Sequence, residues 1–112
     1  GPTAYTCFYT TAGAVARRRE DFRAMAAACK RAVAAVYAEG SAGALPTLTR
    51  FFPNEPPALL SAAVDRYIAH KLYNPTGALP EQGFERLKRS MITVGFIRKG
   101  AAFSDCVDNS LV

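Results

Sequence analysis

Apolar residues recur at helical spacing along nearly the whole chain. Phe22, Met25, Ala26, Cys29, Val33, Val36 and Tyr37 follow one another at steps that share one face of an α-helix. Alanine fills many positions between them, which lowers the cost of helix formation and lets a neighbour approach closely. The pattern predicts a helix over residues 20–38, roughly 27 Å long at about 1.5 Å per residue. Gly40 suits a left-handed cap at its end. A short second helix is predicted over 43–52, with Pro46 in the first turn, where a missing N–H does no harm, and Pro53-Asn54-Glu55-Pro56-Pro57 as a stiff stop. Leu60, Ala63, Val64, Tyr67 and Ile68 stripe a third helix over 57–72, and Asn74-Pro75-Thr76-Gly77 reads as a turn. Phe84, Leu87, Lys88, Met91 and Ile92 give a partly apolar face to a fourth over 80–93, closed by Gly95. The core expected from these stripes is Phe22, Met25, Val33, Leu60, Val64, Tyr67, Phe84 and Met91.

The start of the chain breaks the pattern. Tyr5-Thr6-Cys7-Phe8-Tyr9-Thr10-Thr11 is rich in aromatic and β-branched residues and reads as a strand. One strand cannot satisfy its own ladder of N–H and C=O groups. Its partners are therefore expected outside this sequence, in a larger α/β protein of which this is the C-terminal piece, or in a second copy that pairs with residues 5–11. The Gly1-Pro2 start, without Met, fits the first expectation. The tail, Phe103 to Val112, reads as extended, with apolar residues that should dock it. The expected fold class is thus mostly α with one or two short strands, organised as a single segment over 1–112: strand, four helices and an extended tail.

Composition narrows the function. The 112 residues leave room for one domain with a modest core, and 50% hydrophobic with 21% charged residues is ordinary for a folded chain. No apolar run is long enough for a transmembrane helix, so membrane insertion is not expected. No signal peptide is visible, which says nothing about export of a C-terminal piece. The net charge of +5 comes from clusters at Arg17-Arg18-Arg19, Lys30-Arg31, Arg86 with Lys88-Arg89, and Arg98-Lys99. Glu20, Asp21, Glu39, Asp65 and Glu85 are interspersed, so the clusters read as solvated helix ends rather than a nucleic-acid face.

Chemistry is sparse. His70 is the sole histidine, and Cys7, Cys29 and Cys106 form no metal-ligand spacing, so no metal or cofactor is expected. Cys29 falls on an apolar helix face; whether Cys7 and Cys106 meet is left open by the sequence. His70 reads as a helix-end residue, and Asp105 and Asp108 as solvated or capping acids. No nucleophile–base set, phosphate-binding loop or dinucleotide fingerprint is present, and the chain does not read as an enzyme.

In order along the chain, residues 5–11, the helix beginning around Arg19-Glu20-Asp21-Phe22, Phe51-Phe52-Pro53, Met91-Ile92-Thr93-Val94-Gly95-Phe96-Ile97 and Cys106-Val107-Asp108-Asn109-Ser110-Leu111 resemble the closing third of substrate-binding proteins of nitrate-, sulfonate- and taurine-type ABC importers, within the thiamine-pyrimidine synthase-like superfamily. The resemblance implies a type II periplasmic-binding-protein α/β fold. It also implies a periplasmic parent that binds a small-molecule solute and delivers it to an ABC permease. Tyr5, Thr6, Phe8 and Tyr9 would then be the ligand-binding candidates, since aromatic faces and a hydroxyl suit a polar or heterocyclic solute. In a regular strand Tyr5 and Tyr9 face one side, Thr6 and Phe8 the other, so one set alone would line the cleft. The alternatives are part of a pyrimidine-precursor synthase-like enzyme, and a free-standing helical oligomerising module.

Overall fold

A computed structural model describes residues 4–112, and the Gly1-Pro2 start lies outside the described residues. Thr11 opens α1 (Ala12–Arg17): its hydroxyl accepts the Ala14 N–H at 3.2 Å. Arg18 leaves helical geometry, and α2 (Arg19–Phe51) follows, with Glu20 and Asp21 in the first turn where the helix dipole favours acids. α2 is broken at Gly40, whose φ of 67° and ψ of −162° are confined almost to glycine. The expected left-handed glycine is therefore present, but the helix resumes directly, and Pro46 lies inside the second stretch. α3 (Pro57–Ala69) begins on a proline whose missing N–H needs no partner. Next come α4 (Glu81–Thr93), the one-turn α5 (Phe103–Cys106), and a 3-10 turn (Asn109–Leu111) capped by the Asp108 carboxylate on the Ser110 N–H.

The expected strand does not form. Among the described residues there is no strand, and the α/β periplasmic-binding fold is not seen. Residues 5–11 are an irregular arm, tied at one end by the Ala4 N–H on the Gly83 carbonyl at 3.2 Å and at the other by Thr11, whose carbonyl accepts from Ala14 and Val15. Tyr, Thr and Phe favour a pleated, half-buried surface, but that preference is expressed only against a neighbouring strand, and none is offered here. The tail also differs from expectation: α5 and the 3-10 turn replace an extended run.

The chain divides into two compact units, Gly1–Ala24 with Ala78–Val112, and Met25–Gly77. In the second, Val64 is the one buried apolar side chain among the described residues, at 8% exposure. Leu60, Val33, Val36, Leu45, Leu48 and Ile68 are half-buried around the same stripes, whereas Met25 and Tyr67 of the expected core are exposed. Tyr67 meets Tyr73 edge-on at 5.9 Å, and the Tyr37 hydroxyl donates to the Tyr73 carbonyl at 2.7 Å. The Asn74 side-chain oxygen accepts from the Thr76 N–H and hydroxyl, closing the expected turn. Adding a Cβ at Gly40 would force a side chain into glycine-only backbone space, although nothing lies within 4 Å to clash. Gly40→Ala should therefore cost about 1–3 kcal/mol in urea melts through backbone strain alone. An unchanged midpoint would show that the break relaxes into regular helix.

Candidate functional site

The first unit is organised around α4. Phe84, Leu87 and Met91 recur at helical spacing on one face. The Phe103 ring of α5 packs edge-on against Phe84, 5.5 Å between centroids and 74° between planes. The Lys88 ammonium sits 5.3 Å from the Phe84 ring centre, pairs with Glu85, and donates to the Ala101 carbonyl at 3.1 Å. A Cβ at Gly100 would collide with the Lys88 stem, so glycine lets the returning backbone lie against that side chain. Two ties hold the tail. The Asn109 carboxamide both accepts from and donates to the Leu79 backbone, 3.0 Å each way. Arg19 reaches Asp108 at 3.4 Å and also the Ser110 hydroxyl.

Between α4 and the returning chain lies an open, almost wholly apolar groove of about 200 Å³. Phe84, Leu87, Met91 and Ile97 form its walls, with Lys99 and Cys106 also lining it. α4 ends in a paired-bond cap: Gly95, at φ 78°, donates to Ile92 at 3.0 Å, and the Phe96 N–H reaches Met91 at 2.9 Å. In such caps the residue at the Phe96 position commonly packs back on the helix. Here it is 80% exposed, held outward on a fixed backbone.

The sequence candidates fall elsewhere. Tyr5, Thr6, Phe8 and Tyr9 share the exposed arm; Tyr5, Phe8 and Tyr9 are 88%, 76% and 94% exposed. Without a pleat, the division of those four residues between two faces has no basis. His70 is the C-cap of α3, exposed, with its backbone N–H on Arg66 and Ile68. Cys7 and Cys106 are free and exposed rather than bridged, and Cys29 is half-buried on α2. Among the described residues no group of His, Cys, Asp or Glu is arranged to hold a metal ion, and no helix is long and apolar enough to cross a membrane. The groove and the Asn109 clamp went unread in the sequence. The only trace of them was the apolar content of the tail, which implied docking without naming a partner.

The Asp108 carboxyl is held below its ordinary value, chiefly by the Ser110 hydroxyl and then by the Ser110 N–H; partial desolvation opposes this, and Arg19 adds a weaker lowering through its charge and hydrogen bond. A carboxyl with a depressed folded-state pKa stabilises the fold above its unfolded value of 3.8. That contribution fades as pH falls through the lower folded value. Stability should thus drop on acidification below about pH 4, and Asp108→Asn should flatten that part of the pH profile in urea melts. An identical acid slope in both proteins would count against the Asp108–Ser110–Arg19 tie.

No known protein family, curated protein or solved structure matches this chain.

Proposed function

We propose that the chain is a helical module that works by self-association. The observation that carries this is its surface. It exposes 8580 Å², whereas a compact monomer of 12.0 kDa exposes about 6,000 Å². Even two separate compact bodies of half that mass would expose about 7,200 Å² together, leaving an excess of about 1,400 Å². Large apolar side chains contribute to that surface: Tyr5, Phe8, Tyr9, Phe51, Val94 and Phe96 are all at least two-thirds open or close to it, and Val64 is the one buried apolar side chain among the described residues. Soluble monomers rarely leave so much large apolar surface uncovered, and interfaces between subunits are where it is normally spent. The solute-receptor reading relied on a hinge strand that the arm does not form.

Sedimentation velocity from about 1 to 100 µM tests the proposal, alongside thermal melts over the same range. Self-association stabilises the fold by mass action, so the melting temperature should rise with concentration. A single monomeric species and a concentration-independent melt would rule the proposal out.

A further inference from the structure

We infer that the C-terminal tip of α4 docks on an anionic lipid bilayer, with Val94 and Phe96 entering the headgroup boundary and Arg89, Arg98 and Lys99 lying on the lipid charges. The positive charge at this end is not shared out within the fold. Residues 86–104 hold Arg86, Lys88, Arg89, Arg98 and Lys99 and no acid. Glu20, Asp21, Glu85 and Asp108 of the same unit are taken up by ion pairs with Arg23, Arg18, Lys88 and Arg19. The unit's other acids are Glu81, in the first turn of α4, and Asp105, in α5, whose Phe103 packs on Phe84 toward that same end. Arg89, Arg98 and Lys99 are exposed and have no acidic partner among the described residues.

The apolar side chains at the tip are already held out. Gly95 at φ 78° and the Phe96 N–H on the Met91 carbonyl fix the turn, leaving Val94 65% and Phe96 80% exposed. A turn ordered before contact loses little freedom on docking. Arg98 and Lys99 follow Phe96 by two and three residues. Arg89 stands about 6 Å before Thr93 along the helix axis, at about 1.5 Å per residue. The C-terminal dipole of α4 carries about half a negative charge, which three full positive charges outweigh. The aliphatic neighbour favours lipid over nucleic acid: bases stack on ring faces and gain nothing from a valine, whereas hydrocarbon takes both side chains. Each cation near an anionic surface contributes about fivefold, so three give about a hundredfold. The two apolar side chains add about another hundredfold. The product is below the binding of a single myristoyl chain, so docking is reversible and shows at about millimolar lipid.

Co-sedimentation of the full chain with phosphatidylcholine vesicles containing about 30% phosphatidylserine, at about 2 mM lipid, tests the contact. Binding to pure phosphatidylcholine should be about a hundredfold weaker, and about 1 M salt should bring the two vesicle types together. Arg98→Glu with Lys99→Glu should lower binding more than about tenfold. Phe96→Ser should lower it about tenfold. All three positions are exposed, so far-UV circular dichroism should not change. Arg31→Glu with Arg66→Glu removes the same charge from exposed sites in the Met25–Gly77 unit and should leave binding within about twofold. Absence of binding to the phosphatidylserine vesicles, or equal losses from the two charge reversals, overturns the inference. Capture of a single-stranded RNA oligonucleotide that the tip variants weaken, with vesicles left unbound, overturns it in favour of nucleic acid. A Phe96→Ser chain that loses self-association while keeping vesicle binding returns the tip to the self-interface and overturns it as well. The inference goes beyond self-association: a monomer that binds vesicles through the tip overturns the proposed function alone.

Discussion

Val64→Asp is expected to cost the Met25–Gly77 unit about 3–5 kcal/mol at neutral pH, enough to unfold it. Two effects add. Removing a buried valine forfeits about 1.5–3 kcal/mol of apolar burial. Placing a carboxylate in the same site leaves it without hydrogen-bond partners, at a further cost of about 1–3 kcal/mol. A unit of this size holds only about 3–8 kcal/mol in total. Val64 stands at 8% exposure in a unit where no other described apolar side chain is as well covered, so little else can take up the loss. The pH dependence identifies the cause. Burial raises the folded-state pKa of the new Asp above its unfolded value of about 3.9. The folded variant then binds more protons than the unfolded one, so the deficit shrinks as pH falls toward 4 and grows as pH rises through the folded pKa. Urea melts of Val64→Asp and the near-isosteric Val64→Thr at both pH values measure it. If the Asp variant lost less than about 0.5 kcal/mol, as at ordinary surface sites, Val64 would not be the centre of this unit.

How much of this was legible follows from the range of each interaction. α3 and α4 were read within a few residues, because their starts rest on Pro57 and on Pro80-Glu81, and their stops on local turn chemistry at Asn74 and Gly95. Helix periodicity and proline geometry are local, and a sequence displays them directly. Gly40 was read as a special backbone position, but a positive φ can end a helix or merely break it, and only the packing beyond decides which. α1 was missed because Ala-Gly-Ala-Val-Ala-Arg carries no apolar stripe; its signal is Thr11, an N-cap residue that the strand reading had absorbed. Residues 5–11 were misread because β-propensity describes fit to a neighbouring strand, and a neighbour is a fact about the fold rather than the segment. The groove needs Phe84, Ile97 and Cys106 together, and the Asn109 clamp spans thirty residues back to Leu79. No spacing rule links such positions. Tyr5, Thr6, Phe8 and Tyr9 are cleft-lining candidates only on the assumption of a hinge strand, and that strand does not form among the described residues.

Phe84→Ala should be the most damaging truncation in the first unit, at about 2–3 kcal/mol. A fully buried phenylalanine costs about 3–5 kcal/mol to truncate. Phe84 is half-buried, so the burial share is smaller. Its contacts restore part of the difference. The edge-on pair with Phe103 at 5.5 Å is worth about 0.5–1.5 kcal/mol beyond area. The Lys88 ammonium over the ring adds about 0.5–1 kcal/mol at a partly exposed site. A double-mutant cycle of Phe84→Ala and Phe103→Ala isolates the ring–ring share, expected at about 0.5–1.5 kcal/mol of coupling. Phe84→Leu keeps much of the apolar volume and loses both ring interactions, so it should fall between the wild type and Phe84→Ala. Phe84 is also a wall of the groove, so stability must be read in dilute protein, where association contributes nothing. Under those conditions a loss below about 0.5 kcal/mol for Phe84→Ala, or additive behaviour of the two alanine changes, would mean that α5 is not docked on α4 through these rings.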